Sequence, residues 1–243
     1  MYKTESIIRA VCAFAATVLL MLLQEYVVIA QSTLFNVPST DVVAKKRVYM
    51  EFDFLSHFGS HANGGFQIYT PRAVFGVAKG VEVGVNVSFG DALAPNQPTY
   101  ISPNMKWQFY NNEKTGVAVA AGGLLYTPIA NRAGADTYGF VYSVVSKKVK
   151  TYYGPRLTAG GYALPGLMSG LGTKGGAIVG YEQPLAKRLT FVADWFSGRN
   201  AFGYVTPGLS FTLPKNGLLN VGYSMGNRGR GNNALFVYYG ITF

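Results

Sequence analysis

Val81-Glu82-Val83-Gly84-Val85-Asn86-Val87-Ser88-Phe89 sets an apolar side chain at every odd position and a polar or small residue at every even one. Neighbouring side chains of an extended strand point to opposite sides, so a period of two means a strand with one greasy face. The pattern recurs after Lys45-Lys46-Arg47 in short segments, approximately 47–56, 66–77, 81–89, 100–110, 115–126, 138–147, 154–164, 174–183, 188–197, 203–213, 218–226 and 233–243. These are twelve strands, and an even count returns both ends of the run to one side, as a closed single-chain membrane barrel requires.

The connections sort into two kinds. Ala78-Lys79-Gly80, Asn111-Asn112-Glu113-Lys114, Pro184-Leu185-Ala186-Lys187 and Pro214-Lys215-Asn216-Gly217 are short, whereas the alternate ones are mostly longer and rich in Gly, Asn and Ala. Short periplasmic turns and long external loops are the habit of such barrels. Stretches 148–153 and 198–202 fit less neatly, one a longer periplasmic link and the other a short external loop.

One face of these strands carries Val48, Met50, Phe52, Phe54, Ile101, Met105, Trp107, Phe109, Leu189, Phe191, Trp195, Leu219, Val221, Tyr223 and Met225, and no charge. Glu51, Asp53, Arg72, Glu82, Lys106, Arg156, Glu182 and Asp194 all fall on the opposite face. An Arg or Lys aimed at mid-bilayer lipid costs about 2–4 kcal/mol. A soluble sandwich also alternates, but it carries charge freely on its outer faces, and here the less greasy face is largely Gly, Ser, Thr and Asn. Pro71, Pro103, Pro155 and Pro207 cannot donate to a strand ladder, so bulges or local breaks are expected there.

Composition agrees with a barrel. Charged residues are only 13% of the 243, against 30 Gly, 17 Tyr and 16 Phe. A soluble domain carries nearly twice that share of charge. Beyond residue 30 no run of eighteen apolar residues exists, so no transmembrane helix is expected in the rest of the chain.

The one long apolar run, Ile7 to Ala30, follows Lys3 and ends in Val28-Ile29-Ala30, and it reads as a signal peptide over 1–30. It removes Lys3 and Arg9 together with Glu5 and Glu25, leaving the net charge of +10 to the mature chain. Cys12, the only cysteine, leaves with it, so no disulfide or thiolate site is expected. Residues 31–46 are assigned as a short periplasmic segment and 47–243 as the barrel; sixteen residues are too few for a plug domain.

The final strand, Asn233-Ala234-Leu235-Phe236-Val237-Tyr238-Tyr239-Gly240-Ile241-Thr242-Phe243, resembles the last strand of bacterial outer-membrane barrels, which typically ends in Phe preceded by hydrophobes at alternate positions. The resemblance implies an integral outer-membrane location and recognition by the barrel-assembly machinery through Tyr239, Ile241 and Phe243. More loosely, the mature region is similar to small porin-like barrels grouped with the phenol-degradation meta-pathway outer-membrane proteins, on phrases such as Gly80-Val81-Glu82-Val83-Gly84-Val85-Asn86. That likeness implies a channel or passive transporter for a small solute.

Residues equidistant from a hairpin loop stand opposite one another. With external loops centred near 61, 94 and 169, Glu51 faces Arg72, Glu82 faces Lys106 and Arg156 faces Glu182, while Asp53 and Asp194 have no obvious partner. Two readings of this lumen stay open: a charged constriction across a pore, or mutual neutralisation within a packed, closed barrel that works as a structural or surface-binding protein through its external loops. Arg132, Arg199, Arg228 and Arg230 in the external loops suit lipopolysaccharide phosphates, though solvated loop charge is the plainer reading. Gly226-Asn227-Arg228-Gly229-Arg230-Gly231 is like an arginine–glycine RNA-binding segment only on the surface, and no nucleic-acid partner is expected.

A lipid-modifying enzyme is the third class. Its only material is His57 and His61 beside Ser56, Ser60 and Asp53, in a Gly-rich loop that fixes no catalytic geometry. No catalytic residue, metal site or cofactor is therefore assigned.

Overall fold

A computed structural model of the chain describes residues 32–91, 97–229 and 233–243. The expected signal peptide and Arg230 lie outside the described residues. Among the described residues twelve strands occur in chain order: β1 (Val48–His57), β2 (Phe66–Ala78), β3 (Val81–Gly90), β4 (Thr99–Asn112), β5 (Val117–Ala130), β6 (Tyr138–Lys148), β7 (Arg156–Ala163), β8 (Gly175–Ala186), β9 (Leu189–Phe196), β10 (Tyr204–Leu213), β11 (Gly217–Gly226) and β12 (Ala234–Thr242). Each pairs antiparallel with its neighbours in sequence, and β1 closes on β12 from Tyr49↔Thr242 to Ser56↔Leu235. The protein is an up-and-down barrel, and closure leaves no strand edge unpaired.

The period of two survives as two solvents. On β1, Met50 and Phe52 are 50% and 47% exposed on the outside, whereas Glu51 and Asp53 between them are 3% and 2% exposed on the inside. Met105, Trp107 and Phe109 on β4 and Tyr239 on β12 stand outward in the same way. This is the exterior of a transmembrane barrel, apolar where it meets hydrocarbon. Among the described residues no helix is long and apolar enough to cross a membrane; the crossing elements are strands.

Three of the four prolines interrupt a ladder. The β2–β3 register passes from Tyr69↔Phe89 to Arg72↔Asn86 around Pro71, β4–β5 passes from Ile101↔Thr127 to Asn104↔Leu124 around Pro103, and β10–β11 passes from Val205↔Met225 to Gly208↔Gly222 around Pro207. In two gaps an inward hydroxyl pair bridges the strands instead: Thr70 with Ser88 at 2.8 Å and Thr206 with Ser224 at 2.9 Å. Pro155 stands just before β7, where no ladder bond is lost.

The main departure from expectation is the segment before β1. Residues 32–43 run inside the barrel, and the exposed residues 44–46 lead from there to β1. Thr33 and Pro38 form a bridge, the Leu34 amide donates to the Val37 carbonyl at 2.9 Å and the Ser39 amide to the Ser32 carbonyl at 3.2 Å, making a tight hairpin with its tip at residues 34–37. Leu34, Phe35, Val37 and Val43 are almost wholly buried. Leu34, Phe35 and Val37 share one apolar cluster with inward residues of the wall, including Val144, Ile178, Val192, Phe196 and Phe236, whereas Val43 packs with Tyr49 and Val74. Burying each large apolar side chain is worth roughly 1.5–3 kcal/mol, and inside a barrel this is the only dry surface open to a segment too short to build a core.

The wall is shaped for it. Gly180 sits midway along β8, where a Cβ would collide with the Leu34 side chain, and on β2 a Cβ at Gly76 would strike the Val43 and Ala44 carbonyls. The segment then turns into β1 through Lys46, whose φ of 67° is left-handed, with the Lys46 amide donating to the Gly76 carbonyl at 2.8 Å.

Candidate functional site

The eight inward charges meet one another and the hairpin. Register sets Glu51 opposite Arg72, Glu82 opposite Lys106 and Arg156 opposite Glu182. Arg72 Nε lies 3.2 Å from Glu51, and Lys106 Nζ lies 3.2 Å from Glu82. Arg156 grips Glu182 with two nitrogens, Nε and Nη2, the latter at 2.8 Å.

The two carboxylates read from the sequence as lacking an obvious partner both have one. Asp53 is bonded by Arg72 Nη2, because a guanidinium long enough to reach its own register partner also reaches the next inward position on β1. Asp194, 2% exposed on β9, accepts at Oδ2 the successive backbone amides of Phe35, Asn36 and Val37, at 3.2, 2.6 and 3.0 Å. A carboxylate facing three convergent N–H groups is a strong, charge-assisted arrangement.

Lys106, also 2% exposed, does the converse. Its ammonium donates to the Ser32 carbonyl at 2.5 Å, to the Ser39 carbonyl at 3.4 Å and to the Asp41 carbonyl. Glu82 accepts from the Ser32 hydroxyl and, at 2.6 Å, from the Val43 amide. Nearer the short-turn end Arg156 bonds the Asp41 carboxylate, and the Thr40 and Ser146 hydroxyls lie 2.6 Å apart. On the far side Tyr238 donates to Asn36 Oδ1 at 2.7 Å.

The interior is therefore two-sided. Strands β1 to β4 supply Glu51, Asp53, Arg72, Glu82 and Lys106, while β6 to β9 and β12 supply most of the apolar wall that the hairpin leans on. A cavity of about 100 Å³ remains beside the hairpin, lined among others by Arg72, Glu82, Asn86, Asn104, Lys106 and Tyr126. Beyond it, Tyr126 and Tyr138 stack at 4.8 Å and Phe140 lies 5.2 Å from Phe202.

Sequence reasoning passed over Ser32, Asn36 and Asp41 as working residues. The available signal was that 32–41 combines three apolar residues with Ser, Thr, Asn and Asp and has no period of its own. His57 is held by a 2.5 Å contact from its Nδ1 to the Asn233 carbonyl and stacks on Phe66 at 5.8 Å. Among the described residues no three His, Cys, Asp or Glu side chains gather as a metal would need.

Fold and lumen together define a closed twelve-strand antiparallel barrel with an apolar exterior and a charged interior. A solved structure described as "KdgM porin in complex with disordered oligogalacturonate" has a similar fold, with a TM-score of 0.57 at 11% sequence identity over 81% of this chain and 99% of that one. No family model matches the sequence, and no curated protein matches it.

Proposed function

We propose that the protein is an integral outer-membrane channel through which small solutes pass passively, with Glu51, Asp53, Arg72, Glu82, Lys106, Arg156, Glu182 and Asp194 lining the path. The observation that carries this reading is the sorting of side chains: the inward face of a closed wall holds every one of these charges, and the outward face is apolar. The fold shared with a porin that was captured with an oligogalacturonate supports a small-molecule cargo. Outer-membrane lipid surrounds the wall, the external Arg132, Arg199 and Arg228 meet lipopolysaccharide phosphates, and the barrel-assembly machinery reads the terminal strand through Tyr239, Ile241 and Phe243.

Conductance tests it. The purified protein in a planar bilayer gives discrete current steps, and Asp194→Asn changes their size or frequency. A current equal to that of the bare bilayer, for the full chain and for Asp194→Asn alike, removes the channel reading.

A second reading has its own observation: the hairpin fills the middle of the lumen, with Phe35 and Val37 wholly buried. A permanently closed barrel acting through its external loops would look the same. The two part on whether the hairpin leaves.

A further inference from the structure

We infer that residues 32–44 are a tethered plug, and that the inner wall carries a built receptor for it centred on Asp194 and Lys106. The inference rests on the channel reading and assigns the gate of that channel to the chain's own amino-terminal hairpin.

The wall does not need the hairpin to exist. Every strand has two neighbours, β1 and β12 meet over eight register pairs, and the hairpin adds no strand to the sheet; its one bridge, Thr33↔Pro38, is internal. It is an occupant and not a part of the wall.

The wall is nevertheless adapted to this occupant. Asp194 and Lys106 are buried charges whose contacts on the hairpin are backbone groups, amides for one and carbonyls for the other. Side chains that satisfy a backbone hold a particular turn of chain in a particular place, which random filling of a lumen does not require. Gly180 clears room for Leu34 at the tip, and Gly76 for the Val43 and Ala44 backbone where the segment leads into β1.

The chemistry of the grip permits release. Asp194, Lys106, Glu82 and Arg156 all face the lumen, so water entering behind a departing hairpin solvates them, and hydrogen bonds are exchanged and not simply lost. What holds the hairpin in its resting place is then the small apolar tip, Leu34, Phe35 and Val37, together with the charge-assisted bonds that Asp194 makes to its backbone. Both arms of the hairpin lead to the short-turn end: Ser32 lies beside Glu82 and Lys106, and the other arm joins β1 through Lys46. The segment can swing out of that mouth on its Lys46–Arg47 corner without breaking a strand.

A disulfide lock in the full chain tests this. The Thr40 and Ser146 hydroxyls are 2.6 Å apart, so Thr40→Cys with Ser146→Cys, in a Cys12→Ser background, brings two sulfurs within bonding reach and fastens the hairpin to β6. Mild oxidation is expected to form the crosslink in most molecules, seen as altered gel mobility, and to lower the open probability in bilayers at least tenfold; dithiothreitol restores it. Asp194→Asn in the unlocked chain raises the open probability about tenfold. Failure of the folded protein to crosslink, or equal currents locked and reduced, overturns the plug while leaving the channel standing. If the folded barrel is silent in both states and in Asp194→Asn, the channel reading falls and the gate falls with it.

Discussion

The Asp194 carboxylate and the Asn36 backbone amide lie 2.6 Å apart although 158 residues separate them in the chain. One comes from the wall and the other from the hairpin inside it, and a single oxygen collects that amide together with its two neighbours. The contact ties what the barrel encloses to what the barrel is made of.

Asp194→Asn removes the charge from this contact while keeping a carbonyl that can accept. Hydrogen bonds to charged groups contribute about 1.5–3 kcal/mol each, so amide exchange at residues 35–37 should accelerate roughly 10- to 100-fold. Hydrogen exchange read by mass spectrometry checks it; unchanged protection at the three amides would show that the carboxylate does not hold the tip.

Lys106 and Glu82 are a buried pair, and removing one partner strands the other. Lys106→Met should destabilise the folded barrel by about 3–5 kcal/mol, and adding Glu82→Gln should recover part of that loss. Urea unfolding in detergent micelles measures both, and a double variant no better than Lys106→Met would mean the two charges are not coupled.

Val85 and Asn86 are chain neighbours assigned to opposite solvents. Val85→Arg places a guanidinium against hydrocarbon near the middle of β3 and should cost about 2–4 kcal/mol; Asn86→Arg points into the lumen and should cost less. Equal losses in lipid vesicles would deny that the wall separates oil from a polar interior.

Gly76→Ala drives a methyl group into the Val43 and Ala44 carbonyls where the hairpin joins β1. Backbone cannot yield as a side-chain tip does, so the hairpin should shift at a cost of about 1–3 kcal/mol. A cysteine at Val37, inert to a water-soluble maleimide in the parent chain, should then react measurably; labelling as slow as before would show that the seat tolerates the methyl.

Much of the lumen was legible early. The partners of Glu51, Glu82 and Arg156 follow from hairpin symmetry alone, since an antiparallel register is fixed once a loop centre is known. The partner of Asp53 is not legible in the sequence, because its bond depends on the reach of the Arg72 side chain and not on register. The partners of Asp194 are not legible either, because they are main-chain amides, which carry no residue signature.

The sequence by itself determined the wall. Alternation and turn length are local, each strand declares its two faces within a few residues, and twelve such declarations leave closure as the arrangement that satisfies every backbone group in a membrane. Where residues 32–46 go was decided only by the tertiary structure. That segment has no period and forms no strand of the wall, and its resting place depends on an enclosed surface, assembled from β2 to β12, that does not exist until the barrel has closed around it.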